Sequence, residues 1–300
     1  MKDTIAFSQF DAELNTDSCD AYNNAELTLT LKLGFNQINP AGTAATGTHN
    51  DYGDPTDTSR TIVRWTPAAW TTWKEQFRST AQAFWNGKFW LVNDAGMFSY
   101  TSGGVVYVPN VYCKIKIEAS DGAAGNHHTI DVVRMPNTSA WFGSHSTLYD
   151  SNDIRRHASG TDSRGRTLMQ RAHVHEVGHL LGLGHVDIGQ PHCPASGNTN
   201  VTACYGVSDH SMNSVMGAGM RLRPENAEPW RNAIRGFALK ATRRQGLAAT
   251  VTGSPISRVF AFPTHIFASW PAKMTRHYPR TVDEALRDIL ITSRIGRVAA

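Results

Sequence analysis

Eleven residues carry most of the chemistry that can be read from this chain. His175-Glu176-Val177-Gly178-His179-Leu180-Leu181-Gly182-Leu183-Gly184-His185 sets three imidazoles and one carboxylate at the spacing H-E-x-x-H-x-x-G-x-x-H. On a helix, residues four apart lie almost one above the other, so His175 and His179 reach a single ion from successive turns. Glu176 projects to the side of that axis, near the ion but not bound to it. Gly182 is the expected helix stop, because glycine accepts the left-handed conformation a C-terminus needs. The chain then turns back and His185 supplies a third nitrogen. Three neutral imidazoles suit Zn²⁺ and leave one tetrahedral position for water, the pattern of a catalytic site and not of a closed structural one. Water on such an ion ionises near pH ~7 in place of ~15.7. Glu176 is placed to take that proton and hand it to a leaving amine. The expected reaction is peptide-bond hydrolysis without a covalent intermediate, with one catalytic Zn²⁺ as cofactor. Val174, Val177 and Leu181 fall at i, i+3, i+7 and form a core-facing stripe, while His173 points elsewhere on the helix.

With these residues the chain resembles the metzincin zinc endopeptidases. Their second signature is a tight turn with a methionine beneath the metal. Ser214-Val215-Met216-Gly217 fits it, with Met216 lying 31 residues after His185. The resemblance implies that Met216 is a soft floor under the ion and not a ligand. Met212 and Met220 are nearby competitors without a comparable small-residue frame. Some branches of the family carry a tyrosine two residues after the methionine. Here that position is Ala218, so no tyrosine ligand of that type is expected. The inhibitory cysteine signature of the matrixins is also missing around Cys19. The likeness puts the wall of the pocket after the scissile bond in Gly217–Pro224. Met220 and Leu222 would make that wall apolar, and Arg221 or Arg223 would favour acidic groups.

The elements that must position these residues read as an α+β arrangement. Glu26–Phe35 alternates at period two and predicts a strand. Asn39–Arg60 is rich in Gly, Thr, Asn and Asp and predicts a long surface loop. Asp51, Asp54 and Asp57 in it are spaced unlike an EF-hand loop and read as a solvated acidic stretch before a calcium site. Thr66-Pro67 starts a long helix, Thr capping and Pro at the first position, to Ala83 or Phe84. Phe89–Asn93, Val111–Ala119, His128–Met135 and, less clearly, Trp141–Tyr149 predict strands. The zinc helix is expected from near Arg166. Pro224 to about Arg243 predicts another helix, and Thr281–Ser293 an amphipathic one. By analogy with the family this is a mixed twisted sheet with a long backing helix, an active-site helix and a small C-terminal subdomain, His128–Met135 being the cleft-edge strand to which an extended substrate adds. His127 and His128 offer a second metal site, against the simpler reading of an exposed pair. The expected division is 1–23 irregular, 24–184 the N-terminal catalytic subdomain, 185–245 the C-terminal subdomain with His185 and Met216, and 246–300 an extension of undecided role.

Composition bounds the rest. The 300 residues carry a formal charge of +4, mild and scattered, which gives no case for nucleic acid. No run approaches the ~20 apolar residues that span a bilayer, and Met1–Phe7 has no hydrophobic leader core. Of the four cysteines, Cys193 and Cys204 bracket a Pro/Ser/Gly/Asn-rich loop and form a candidate disulfide; four cysteines allow three pairings. A loop clasp suits an oxidising compartment. Export or injection without a classical signal peptide is expected, as for an effector or toxin, with a cytoplasmic location as the alternative. The expected partner is a protein or peptide substrate. The competing reading is a zinc-holding interaction module on the same scaffold without proteolysis, against which the retained Glu176 argues.

Overall fold

The computed structural model describes residues 2–17, 19, 23–50, 59–93, 100–102, 104–138, 147–244, 264–267, 280–281 and 284. The chain is α+β, with a mixed twisted sheet and few helices. It opens with a hairpin, β1 (Lys2–Ala6) and β2 (Asp11–Asn15), followed by the long strand β3 (Ala25–Ile38). Leu27, Leu29, Leu31 and Leu33 are all fully buried along one face of β3, and Thr28, Thr30 and Lys32 take the other. That strict alternation is what the period of a pleated strand demands. A small hairpin, β4 (Thr46–Asn50) with β5 (Ser59–Val63), precedes helix α1 (Pro67–Trp85).

Next come β6 (Phe89–Asn93), β7 (Tyr100–Ser102), β8 (Val105–Val108), β9 (Val111–Asp121), β10 (His128–Val133) and β11 (Leu148–Asp150). β3 is the hub of the large sheet. One edge pairs in parallel with β9 from Ala25↔Val111 to Phe35↔Asp121. The other edge is shared end to end: β2 takes Glu26–Thr30 antiparallel, and β10 takes Leu33–Ile38 in parallel. β11 lies outside β10, parallel to it. β6 covers only Val111–Cys113 of β9. Beyond it, the amides of Ile115 and Ile117 donate to Asn86 Oδ1 and Gln82 Oε1, so side chains at the end of α1 take the place of a missing strand.

α1 begins as its sequence predicts. Thr66 Oγ1 accepts from Ala69 N, and Pro67 occupies the first turn. Trp70, Trp73, Phe77, Ala81 and Trp85 form its buried face, and Phe35 of β3 meets the first three edge-on. Then follow the hairpin β12 (His157–Thr161) and β13 (Thr167–Gln170), helix α2 (Ala172–Leu180), a 3-10 turn at Thr202–Tyr205, a single turn α3 (Asp209–Met212), and a 3-10 turn at Pro224–Ala227 leading into α4 (Glu228–Arg244). α4 buries Trp230, Ala233, Ile234 and Phe237, and Trp230 Nε1 donates to Lys114 O of β9.

Several expectations change. Within 1–23, Lys2–Ala6 and Asp11–Asn15 are strands and not irregular: β1 and β2 extend the sheet, and Lys240 of α4 pairs with Asp3. Alternating Glu13, Leu14 and Asn15 opposite β3 carry this pairing, which a polar composition obscures. The Asn39–Arg60 loop contains the β4–β5 hairpin, while Asp51, Asp54 and Asp57 lie outside the described residues. The helix that carries His175 and His179 starts at Ala172, not near Arg166. Asp162 accepts from the amides of Arg164 and Arg166, and Gly165 adopts φ 74°, so Arg166 leaves a hairpin turn. β10 pairs with β3 along its length but with β11 only over Asp131–Val133, so among the described residues no strand covers the other side of His128–Ile130. Of Trp141–Tyr149, residues 141–146 lie outside the described residues, and Leu148 and Tyr149 belong to β11. The extension past 246 returns to the body: β14 (Thr264–Phe267) pairs with β6, and β15 (Arg280–Thr281) with β8. Thr281 and Glu284 exchange the reciprocal bonds of a capping box at the start of the expected Thr281–Ser293 helix, whose remainder lies outside the described residues.

Candidate metal centre

α2 is held by its neighbours and not by a cap of its own. Arg171 at its N-terminus makes no side-chain capping bond. Instead, buried His173 bridges the first turn to two other elements: Nδ1 donates to Asp153 O at 2.9 Å, and Nε2 accepts from Thr80 Oγ1 of α1 at 2.7 Å. Trp85 Nε1 donates to Val174 O. Val174, Val177 and Leu181 are buried as the stripe predicts. The helix ends at Gly182, with φ 94°. Leu183 N donates to Gly178 O at 2.9 Å and Gly182 N to His179 O at 2.8 Å, the pair of bonds of a Schellman cap. That reversal lets His185 come back beside α2.

His175, His179 and His185 do converge. His179 Nε2 lies 3.1 Å from His175 Nε2 and 3.1 Å from His185 Nε2. Each ring is oriented by its far nitrogen. Nδ1 of His175, His179 and His185 lies 2.7, 2.8 and 2.8 Å from the carbonyl oxygens of Val215, Leu183 and Thr199. A carbonyl only accepts, so each Nδ1 carries the hydrogen and each Nε2 presents a lone pair. Three lone pairs therefore face one point with no hydrogen among them, a repulsive arrangement that a cation relieves. Ligands at ~2.0–2.1 Å around a tetrahedral Zn²⁺ sit about 3.3 Å apart, so the set fits such an ion. The three histidines are also the metal-binding cluster found among the described residues. Carbonyl acceptors behind ligand imidazoles raise their basicity and fix their tautomer.

Burial governs the protonation of these groups. It depresses His175 to about 3, helped by His179 next to it, and His179 to about 4, helped by His185. His185 is lowered for the same reason. The histidines are thus held neutral, the form that binds metal. Glu176 is buried in the same wall, and loss of solvent pushes its carboxyl up to about 8. The buried Tyr149 hydroxyl has no hydrogen-bond partner among the described residues, and the Glu176 and Asp153 charges add to the burial that raises it.

Met216 lies directly against α2. A Cβ placed on Gly178 would sit 2.3 Å from Met216 Sδ, so only glycine permits this approach. The turn is closed by Gly217 N and Gly219 N, both donating to Ser214 O, and by Val215 N donating to Arg221 O. Met216 O accepts from Val186 N, which ties the turn to the residue after His185. Gln170 is the residue that sequence reading passed over. Its amide nitrogen lies 3.3, 2.8 and 3.1 Å from the carbonyls of Val215, Gly217 and Gly219, and so gathers the turn from inside. Ser159 of β12 adds a bond to Ala218 O.

The disulfide Cys193–Cys204 is formed, with Cα atoms 5.0 Å apart; Cys19 and Cys113 are not bonded to one another, and Cys19 packs against the core. Asp187 N donates to Cys204 O, and the Asp187 carboxylate accepts from Val207 N and pairs with His192. Tyr205, directly after the bridge, lays its ring on His185 with centroids 3.9 Å apart. No feature of the sequence marked it. Met220 and Leu222 line a cavity of about 520 Å³ with Thr80, Phe84 and Arg171, and none of the three histidines lines it. Met220 Sδ accepts from Arg171 N. His127 and His128 do not form a metal pair: His127 Nδ1 accepts from Lys32 N, and His128 Nε2 lies 3.2 Å from Gln9 O. Among the described residues no helix is long and apolar enough to cross a membrane. Compared with known proteins, the chain matches no family model, no curated protein and no solved structure.

Proposed function

We propose that this chain is a zinc-dependent endopeptidase of metzincin type. The observation that carries the reading is the convergence of three Nε2 lone pairs, each imposed by a carbonyl behind the ring, next to a buried glutamate. His175, His179 and His185 would hold Zn²⁺. Bound there, zinc would polarise a scissile carbonyl and lower the pKa of a water at its open position. Glu176 then takes the proton of the attacking water on a carboxylate oxygen. The same oxygen returns it to the amide nitrogen as the C–N bond breaks, leaving a carboxylic acid and an amine. A dication beside Glu176 favours its carboxylate over the protonated form that burial alone favours at neutral pH. Met216 shapes the floor by packing, and Gln170 keeps the turn that bears it in place.

The disulfide next to the site supports work in an oxidising compartment. The test is hydrolysis by zinc-loaded protein of a peptide library, with mass-spectrometric mapping of the cut sites, beside Glu176→Gln. The expected result is cleavage abolished by a chelator and lowered ~10²-fold or more by Glu176→Gln at unchanged zinc content. Zinc bound one per chain with no cleavage of any peptide would leave an interaction module in its place. Near wild-type turnover by Glu176→Gln would refute the mechanism.

A further inference from the structure

Tyr205 lies with its ring against two of the three histidines. Its ring centroid lies 3.9 Å from that of His185 and 5.8 Å from that of His175, and it is tilted only 15° from the His175 ring. His175 and His185 are themselves stacked at 26°, whereas His179 stands at 83° to both. The Tyr205 ring therefore packs against both His175 and His185, the three centroids forming a triangle, while His179 stands across the two histidine rings. Among the described residues the phenol takes no protein hydrogen bond, and Tyr205 is half-buried.

The position of Tyr205 is also built. The Cys193–Cys204 bridge fixes the residue before it. The amide of Asp187, two residues after His185, donates to Cys204 O. On the other side Gly217 of the methionine turn approaches Tyr205 O so closely that a Cβ there would lie 2.6 Å away. Both flanks of the zinc-ligand loop therefore clamp the backbone around this one aromatic ring, while its hydroxyl takes no partner among the described residues. A hydroxyl held in place at a reactive centre and left unpaired serves as a donor for charge that develops there.

We propose that Tyr205 donates a hydrogen bond to the scissile carbonyl oxygen as negative charge builds on it, while its ring holds His185 against the metal. This rests on the endopeptidase reading above. The phenol stays O–H throughout, and no proton is transferred. The position differs from Ala218, where a tyrosine of the related enzymes would stand, so the donor comes from the disulfide-anchored loop and not from the methionine turn.

The experiment compares wild type, Tyr205→Phe and Tyr205→Ala, each loaded with zinc or cobalt(II). It reads metal content, the cobalt absorption spectrum, kcat and KM on a peptide cut by the wild type, and the Kd of a phosphinic peptide. That probe carries a tetrahedral anionic centre and needs no turnover. Tyr205→Phe is expected to keep metal content, spectrum and KM, to lose roughly 10²–10³-fold in kcat, and to bind the phosphinic peptide more weakly by at least tenfold. Tyr205→Ala is expected to lose metal affinity by ~10–100-fold as well, because His185 loses its cover. A Tyr205→Phe protein equal to wild type in both kcat and phosphinic-peptide affinity would overturn the proposal. So would one that loses metal, since the hydroxyl would then serve the ion and not the substrate. If the wild type binds zinc and the phosphinic peptide yet cleaves nothing, the endopeptidase reading fails, and the Kd comparison still decides the role of Tyr205.

Discussion

The contact between Gly178 and Met216 makes the sharpest quantitative test of how this site is assembled. Glycine inside a helix costs about 1 kcal/mol relative to alanine, so Gly178→Ala should by itself stabilise α2. The neighbour decides otherwise. The new methyl would lie 2.3 Å from Met216 Sδ, 3.1 Å from its Cε and 3.4 Å from Trp85 Cζ2. Ordinary contact is near ~3.8 Å, so the sulfur must retreat by about 1.5 Å. It is enclosed, because Met216 is 1% exposed. Overpacking of this kind costs ~1–3 kcal/mol, and the enclosure puts this case in the upper half. After the helical gain, a net loss of about 1–2 kcal/mol is expected.

The displacement should also reach the ligands. Val215 O orients His175, and Met216 O holds Val186 next to His185, so moving the turn tilts two imidazoles. Zinc affinity should fall by ~10–100-fold, the usual effect of disturbing groups behind metal ligands. Urea unfolding of the zinc-free protein and competitive zinc titration against a chromophoric chelator measure the two effects. A double-mutant cycle isolates the contact. Met216→Ala alone should cost ~2–5 kcal/mol, and Gly178→Ala with Met216→Ala should cost less than the sum by ~1 kcal/mol or more. A Gly178→Ala protein as stable as wild type with unchanged zinc affinity would show that Met216 is not seated beneath α2.

Four further outcomes are expected. Gln170→Ala removes the side-chain donor to the Gly217 and Gly219 carbonyls, Val215 O keeping His175 Nδ1–H, and should cost ~1–3 kcal/mol in urea unfolding, with no loss if the amide is a bystander. Met216→Leu should fold and keep zinc, whereas Met216→Asp buries an unpaired charge and should lose both stability and metal by elemental analysis; equal behaviour of the two would refute the packing role. Reducing Cys193–Cys204 opens a loop of 12 residues and should cost on the order of 3 kcal/mol, with substrate binding loosened before the domain unfolds, while free thiols in active protein by non-reducing peptide mapping would reject the clasp. Finally, His173 and His175 near 3 and His179 near 4 take up protons only in the unfolded chain between those values and about 6.5. Unfolding then binds protons, so the histidines' contribution to the stability of chelator-treated protein is full above pH ~6.5 and falls as pH drops towards 3. Glu176, raised to about 8, runs the other way from pH ~4.5 upwards, one group against three. A flat profile from pH 7 to 4 in urea unfolding would refute the burial argument.

The parts of the fold that were legible in the sequence are those where one residue type repeats at a structural period. The leucines of β3, the Trp/Phe face of α1 with its Thr66-Pro67 start, and the Val174–Val177–Leu181 stripe all turned out as their spacing predicts. The errors arose where local composition and pairing disagree. β1 and β2 are short and polar, and their stability comes from the neighbouring β3 and from α4, which no local window contains. The start of α2 was misplaced because Thr167-Leu168-Met169-Gln170 fits either period over four residues, and the Asp162 turn before it decides for a strand. The pairing of β10 with β3 joins residues about 95 apart in the chain, which no local window contains.

The site divides along the same line, but for a different reason. Histidine and glutamate are chemically distinctive, so their spacing announced the three-histidine cluster and the carboxylate that follows its first member. What turns those ligands towards one point is the carbonyls of Leu183, Thr199 and Val215, and a carbonyl is the same atom in every residue. Nothing in the identity of Leu, Thr or Val marks the role, because the side chain takes no part in it. The path of the backbone does the work: the Schellman turn at Gly182 brings up Leu183, the turn gathered by Gln170 brings up Val215, and the loop closed by the disulfide brings up Thr199. Each path is fixed by a residue with a constraint of its own: a positive φ, a buried amide and a covalent bond. Substitutions at the three carbonyl positions should therefore be tolerated far better than substitutions at Gly182, Gln170 or the two cysteines, although only the former lie within hydrogen-bond reach of the imidazoles.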